Sequence, residues 1–366
     1  MHIPDGYLSP SACVALYAGS APFWCVALRR LKRWLGTRLI PLLSVFAAFS
    51  FLVMMLNLPL PGGTTGHALG VAIAAIVLGP WASILAVSIA LLIQALFFGD
   101  GGITTLGANC FNMAIVGSLV AYFVYRLLAG RVAITAPRRV VAAALAGYIA
   151  INASALCAAL ELGVQPLLFR DASGAPLYAP YPLSVALPAM LIGHLTFAGL
   201  AESVLSGGVV AYLQRAYPSL LELRAPGAAR GDEGHRQVSI QGAWSTLRPL
   251  WIALALLLAL TPLGVRAGGA AWGEWGVRDF SLAAARQKIA AASSHVAPPL
   301  RAPRGLERLY SVWTSPFPQY APPFVRHPAL GYLLSAMFGS GIIILVFLIV
   351  GALWARGGRQ RKADSV

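Results

Sequence analysis

The sequence has six histidines: His2, His67, His194, His235, His295 and His327. Imidazole is a good ligand for Ni, Cu, Co and Zn. His2 stands out by its position. As second residue it can offer its imidazole and its own backbone nitrogen. The α-amine of Met1 adds a third nitrogen, and the three close two fused chelate rings on one ion. A fourth nitrogen, from His67, would complete a planar set. Square-planar nitrogen ligation points to Ni(II) or Cu(II) rather than Zn(II), which prefers a tetrahedron, and Co(II) stays open. Such binding depends on pH, because the ligands must lose protons. Pro4-Asp5-Gly6 reads as a turn that could fold the terminus back over such a site. The plainer alternative makes His2 a solvated tail residue and His67 a capping residue. His67 ends the Gly-rich loop 61–67, which lacks the trailing Lys-Ser/Thr of a phosphate loop.

Other polar residues sit in apolar surroundings. In the stretch 99–113, GDGGITTLGANCFNM, Asn109 and Asn112 are amides at the start of a hydrophobic run. Asn109 and Asn112, and with them Thr64, could orient a histidine from behind. Equally, the amides could bond a neighbouring backbone. Glu161, His194 and Glu202 fall within apolar segments, where an ionisable group must face protein or water. His194 and Glu202 lie about 80° apart around one helix. They read either as an ion or proton path or as a buried structural pair. His235, His295 and His327 lie in polar segments without partner spacing and read as surface residues. No HExxH, GxSxG or GxxxxGK[ST] signature occurs, so the chain cannot drive uphill transport with ATP on its own.

These residues are carried by a hydrophobic chain. Of 366 residues 58% are hydrophobic and 11% charged, and the mean hydropathy is +0.74. A soluble domain has about 25% charged residues. A soluble enzyme and a disordered chain are thereby excluded. The net charge of +15 reads as basic loops of a membrane protein, not as a nucleic-acid surface. Cys13, Cys25, Cys110 and Cys157 all lie in apolar runs, so no disulfide framework is expected. Residues 1–10 lack the basic start of a signal peptide, and an intact N-terminus is expected.

The expected fold is all-α: a polytopic membrane helical bundle of about nine segments. They fall at about 11–28, 39–56, 67–79, 81–98, 106–125, 140–163, 183–213, 249–264 and 329–354. The 67–79 piece stops at Gly79-Pro80 and is too short to cross unless buried in protein. Eighteen of the 27 Lys/Arg fall in 29–38, 126–139, 214–248 and the tail 355–366. Loops 57–66 and 99–105 have none. That bias puts the N-terminus outside and the C-terminus inside. The chain divides into a seven-segment unit (1–213), a cytoplasmic linker (214–248) and a second unit (249–366). In the second unit two helices bracket an exterior segment, 265–328.

Several stretches carry a resemblance. MHIPDGYLSP (1–10), GGTTGHALG (62–70), LGPWA (78–82), QALFFGDGGITTLGANCFNM (94–113) and HLTFAGLAES (194–203) resemble the CbiM/NikM family. These are the substrate-specific membrane components of energy-coupling-factor cobalt and nickel importers. The resemblance spans about residues 1–215. It implies metal ligation by the Met1 amine, the His2 backbone nitrogen and imidazole, and His67. The stretches TPLGVRAGGAAWGEWG (261–276), PRGLE (303–307), SPFPQYAPP (315–323) and GYLLSAMFGSG (331–341) resemble the nickel-type companion subunit with its PDGLE motif. Arg304 replaces the motif's acid, which puts any role of that acid in doubt. A natural fusion of the two subunits is implied, with Ni(II) favoured over Co(II) as transported ligand and no resident cofactor. The implied partners are a membrane T component and a cytoplasmic ATPase in a prokaryotic cell membrane. Two competing functions remain. One is a self-contained metal channel or secondary permease using Glu161, His194 and Glu202. The other is a membrane metalloenzyme at His2/His67, for which only Asp5 or Asp100 could serve as a base.

Overall fold

The computed structural model describes residues 1–32, 40–222, 240–267 and 269–363. An irregular arm, residues 1–9, leads into α1 (Pro10–Lys32), followed by α2 (Ile40–Met54). A two-stranded antiparallel hairpin comes next, β1 (Leu58–Leu60) with β2 (Thr64–Gly66), and Leu58 pairs with Gly66. The Pro61-Gly62 turn makes it possible. Pro61 presets its φ, and Gly62 sits at φ 82°, where a side chain would be strained. Then α3 (Val71–Leu78) and α4 (Pro80–Ile93) are set apart by Gly79, with Pro80 opening α4 where no amide donor is needed.

Wide, π-type turns at Gln94–Phe98 end α4. α5 (Leu106–Asn109) continues through similar turns at Cys110–Val116 into α6 (Gly117–Ala129). After α7 (Pro137–Leu168), α8 (Leu183–Gly193) runs through the wide turns His194–Ala198 into α9 (Gly199–Ala216), and the short α10 (Pro218–Glu222) follows. The second part holds α11 (Ile240–Leu260), α12 (Ala283–Ala292), α13 (Arg304–Leu309) and α14 (Pro328–Ala363).

Among the described residues, six helical stretches are long and apolar enough to cross a membrane: Pro10–Leu31, Pro80–Phe98, Leu106–Ala129, Pro137–Leu168, Leu183–Ala216 and Pro328–Leu353. Ile40–Met54 and Leu250–Arg266 are apolar but shorter. Every residue of α3 is buried, which is how so short a helix is tolerated within the apolar layer. Exposed Val14, Phe123, Leu127 and Val204 form part of an apolar exterior. The all-α expectation needs one correction. The hairpin at 58–66 is β structure, because a Pro-Gly turn between two short extended runs lets their backbones pair. The basic stretches 33–39 and 223–239, with His235, lie outside the described residues.

The two parts share one hydrophobic core, which includes Phe51, Phe98, Phe280, Leu306, Tyr320 and Ile343. α14 lies along α2. Gly339 meets Phe51 so closely that a Cβ there would stand 2.2 Å from the ring. The Tyr332 hydroxyl donates to the Met55 carbonyl at 2.9 Å. The 265–328 segment is docked on the end of the first part. Its Phe317 N–H donates to Phe97 O at 2.9 Å and Gly305 N–H to Leu177 O at 2.7 Å. The Trp313 indole N–H donates to Leu96 O at 2.8 Å. Ala271 bridges Thr65 of the hairpin.

Candidate metal site

The N-terminal arm is buried rather than solvated: Met1 and His2 are each 3% exposed. The backbone of Ile3 anchors it. Ile3 N–H donates to Asn109 Oδ1 at 2.8 Å. The Ile3 carbonyl accepts from Asn109 Nδ2 at 3.1 Å, from the Gly102 amide at 2.9 Å and from the Thr105 hydroxyl. Asp5 then accepts from the amides of Ile103 and Thr104 at 3.1 and 2.7 Å. The Pro4-Asp5-Gly6 turn sits against the 102–105 loop through these bonds. Gly102 has no alternative residue type, since a Cβ would lie 2.3 Å from the Asp5 backbone nitrogen. Tyr7 closes the arm by donating to the Trp275 carbonyl at 2.8 Å.

The hairpin delivers His67 to this arm. His67 Nδ1 lies 3.0 Å from the Ala68 carbonyl. A carbonyl can only accept, so Nδ1 carries the proton and Nε2 keeps its lone pair. That lone pair faces His2 Nδ1 at 3.3 Å. His2 Nδ1 is the ring nitrogen nearer the backbone, the one able to close a six-membered chelate with the residue's own amide nitrogen.

Two carboxylates border the histidines. Asp100 Oδ1 is 3.0 Å from His2 Nδ1, and Glu274 Oε1 is 3.6 Å from the Met1 amine. Asp100 Oδ2 accepts from the Tyr320 hydroxyl at 2.5 Å and from Gln94 Nε2 at 3.3 Å, and Gln94 Nε2 also donates to the Tyr320 oxygen at 2.9 Å. Burial, aided by the charge of the terminal amine, pushes His2 down to about 3. Burial, then His2 and the amine, hold His67 well below the usual histidine range. Both rings are therefore neutral at neutral pH, the state that ligates a metal. Burial raises Asp100 against the pull of His67, Tyr320 and the amine. Burial also raises Glu274, to about 7, with the amine opposing and Asp100 adding. The site opens on a cavity of about 630 Å³, lined among others by His2, His67, Asp100 and Glu274 and by Trp313 and Tyr320.

Residues 2–220 match the family model described as the CbiM cobalt uptake substrate-specific transmembrane region. The chain belongs to the CbiM family. It is 54% identical over 344 residues to the fused nickel transport protein NikMN of Rhodobacter capsulatus, covering 94% of this chain and 95% of that one. It is 41% identical to the probable fused nickel transport protein LarMN of Lactiplantibacillus plantarum, over 96% of this chain and 97% of that one. A crystal structure of a truncated transition metal transporter superposes with a TM-score of 0.55 at 49% identity, covering 58% of this chain and 98% of that chain. With its six spanning-length helices, this CbiM-family chain is a multi-pass membrane protein.

The structure brings Met1, His2 and His67 to one place, with Asn109 holding the residue that follows His2. Thr64 bonds the Pro61 carbonyl of its own turn at 3.4 Å. Asn112 donates to Glu161 at 2.8 Å. His194 and Glu202 bond separate partners: His194 Nδ1 lies 2.7 Å from Met190 O, and Glu202 Oε2 accepts from the amides of Leu69 and Gly70 at 2.7 and 3.0 Å. His295 and His327 are exposed. Reading the sequence for site residues missed Gln94, Glu274 and Tyr320, and considered Asp100 only as a base. An acid inside GDGG, in a loop without any basic residue, was the available signal for Asp100; none marked Glu274.

Proposed function

We propose that this chain is the substrate-specific component of an energy-coupling-factor importer and captures Ni(II), with Co(II) as second choice, at the outer face of a prokaryotic cell membrane. The observation that carries this reading is His67 Nε2, held as a lone-pair donor 3.3 Å from His2 Nδ1 beside the buried N-terminus. The Met1 amine, the His2 amide nitrogen and Nδ1, and His67 Nε2 would form the planar set, and this requires a free amine on Met1. The nickel transport named for two fused relatives favours Ni(II). In this reading the N-terminus is outside and the C-terminus inside, with nine membrane segments. A membrane T component and a cytoplasmic ATPase would supply the energy. The division into residues 1–213, a linker 214–248 and a companion unit 249–366 belongs to the same proposal.

The test is metal stoichiometry of three purified forms side by side: wild type, His67→Ala, and a chain with one residue added before Met1. Wild type should hold one ion. Both altered forms should lose it or bind far more weakly: His67→Ala removes one nitrogen of four, and the added residue turns the Met1 amine into a peptide amide and needs room that the buried terminus does not have. One tightly held ion in all three would place the site elsewhere. The channel or permease reading is separated by Ni(II) uptake into vesicles containing this chain alone, which should stay at background.

A further inference from the structure

The planar nitrogen set uses neither Asp100 nor Glu274, yet both carboxylates stand beside it. His2, Asp100 and Glu274 each place a donor atom within 4.8 Å of the others, and all three line the same cavity. His2 is 3% exposed, and its Nε2 has no hydrogen-bond partner among the described residues. Tyr320 and Gln94 occupy Oδ2 of Asp100, which leaves Oδ1 towards His2. The two acids come from different parts of the chain, Asp100 from the loop after α4 and Glu274 from the docked segment.

The surroundings make such acids useful. Residues 265–328 contain eight Lys/Arg against Glu274, Asp279 and Glu307. A divalent cation approaching this segment meets net positive charge. A hydrated ion must also shed water before it can reach buried nitrogens, and carboxylate oxygens replace water ligands without any change of protonation at the imidazoles. We propose that Asp100 and Glu274 form an oxygen-donor capture site for a hydrated divalent transition-metal ion. The ion then passes to the adjacent nitrogens. The destination rests on the reading given under Proposed function; the carboxylate donors do not. Glu274, once drawn to the cation, releases the Met1 amine that it otherwise holds.

The experiment loads the full chain in detergent with Ni(II) alone and follows the absorption of the planar nickel–nitrogen chromophore by stopped flow. Asp100→Asn and Glu274→Gln should each slow its appearance by about tenfold or more, the lower end of electrostatic steering effects, and should flatten the salt dependence of the rate. Glu307→Gln removes an exposed acid of the same segment and should load at the wild-type rate. Wild-type rates in Asp100→Asn and Glu274→Gln would overturn the proposal. So would equal slowing in Glu307→Gln, which would mean diffuse charge rather than a site. If wild type forms no planar chromophore, the nitrogen reading is what fails. The capture site is then judged by paramagnetic resonance of Mn(II), a cation that suits oxygen donors. Bound Mn(II) in wild type that is lost in Glu274→Gln supports the site, and no bound Mn(II) in wild type overturns it.

Discussion

Asn109 shows how much the candidate site depends on a residue that supplies none of its proposed ligand atoms. Its side chain both accepts from and donates to the backbone of Ile3, so it sets where the preceding residue, His2, presents its nitrogens. Asn109→Ala would leave the buried Ile3 amide unpaired, at about 1–3 kcal/mol. It should also weaken Ni(II) binding by about 10–100-fold, as loss of supporting groups around metal ligands commonly does. Isothermal titration of the folded variant reads the second effect, and an affinity equal to wild type would show that the arm is held by other bonds. His2 and His67 could be picked out in the sequence because a histidine at position two can chelate with its own backbone and the terminal amine, and because both lie in stretches that resemble the family. Asp100 and Glu274 could not be paired, because 174 positions separate them and only tertiary docking joins them.

Glu202 on α9 caps the amino end of α3, a helix lying elsewhere in the bundle. Its Oε2 takes the amides of Leu69 and of Gly70, the residue that caps α3, and the amide of a capping residue has no intrahelical partner. Buried in an apolar layer, those amides have no water to turn to. Glu202→Ala should therefore destabilise the chain by about 2–3 kcal/mol, from hydrogen bonds to a buried acceptor lost together. Glu202→Gln keeps a carbonyl oxygen and should recover most of that loss. Thermal unfolding in detergent separates the two variants. If both melt like wild type while transport falls, the residue belongs to an ion path instead. At the same scale, helix positions followed from apolar runs, since a buried or lipid-facing helix must be apolar over its length. The hairpin at 58–66 escaped that logic. Its strands are three residues each, and its pairing is set by a turn rather than by a hydrophobic period. His194 and Glu202 bond separate partners, which their spacing could not show: spacing along one helix says nothing of the partners that other groups supply.

The two parts of the chain are packed as one body, and this has a consequence for how they hold together. α14 lies on α2, with Gly339 against Phe51. Phe98 stacks on Tyr320 at 4.7 Å between ring centroids. Glu274 reaches the Met1 amine across the same junction. Contacts of this kind resemble a domain core cut in two, which is the character of obligate interfaces. The covalent link through 223–239 is then not needed to hold the parts together. Two separate polypeptides, 1–222 and 240–366, made in the same cell should co-purify through a tag on either one. Disturbing the junction should separate them. Gly339→Leu would drive a branched side chain into the Phe51 ring, and overpacking of this kind costs typically about 1–3 kcal/mol. The split pair carrying Gly339→Leu should co-purify poorly, whereas the uncut chain with the same change should still be recovered whole, because its linker keeps the effective concentration of the two parts high. Failure of the unaltered pair to co-purify would mean that the linker, not the shared core, holds the second part over His2 and His67.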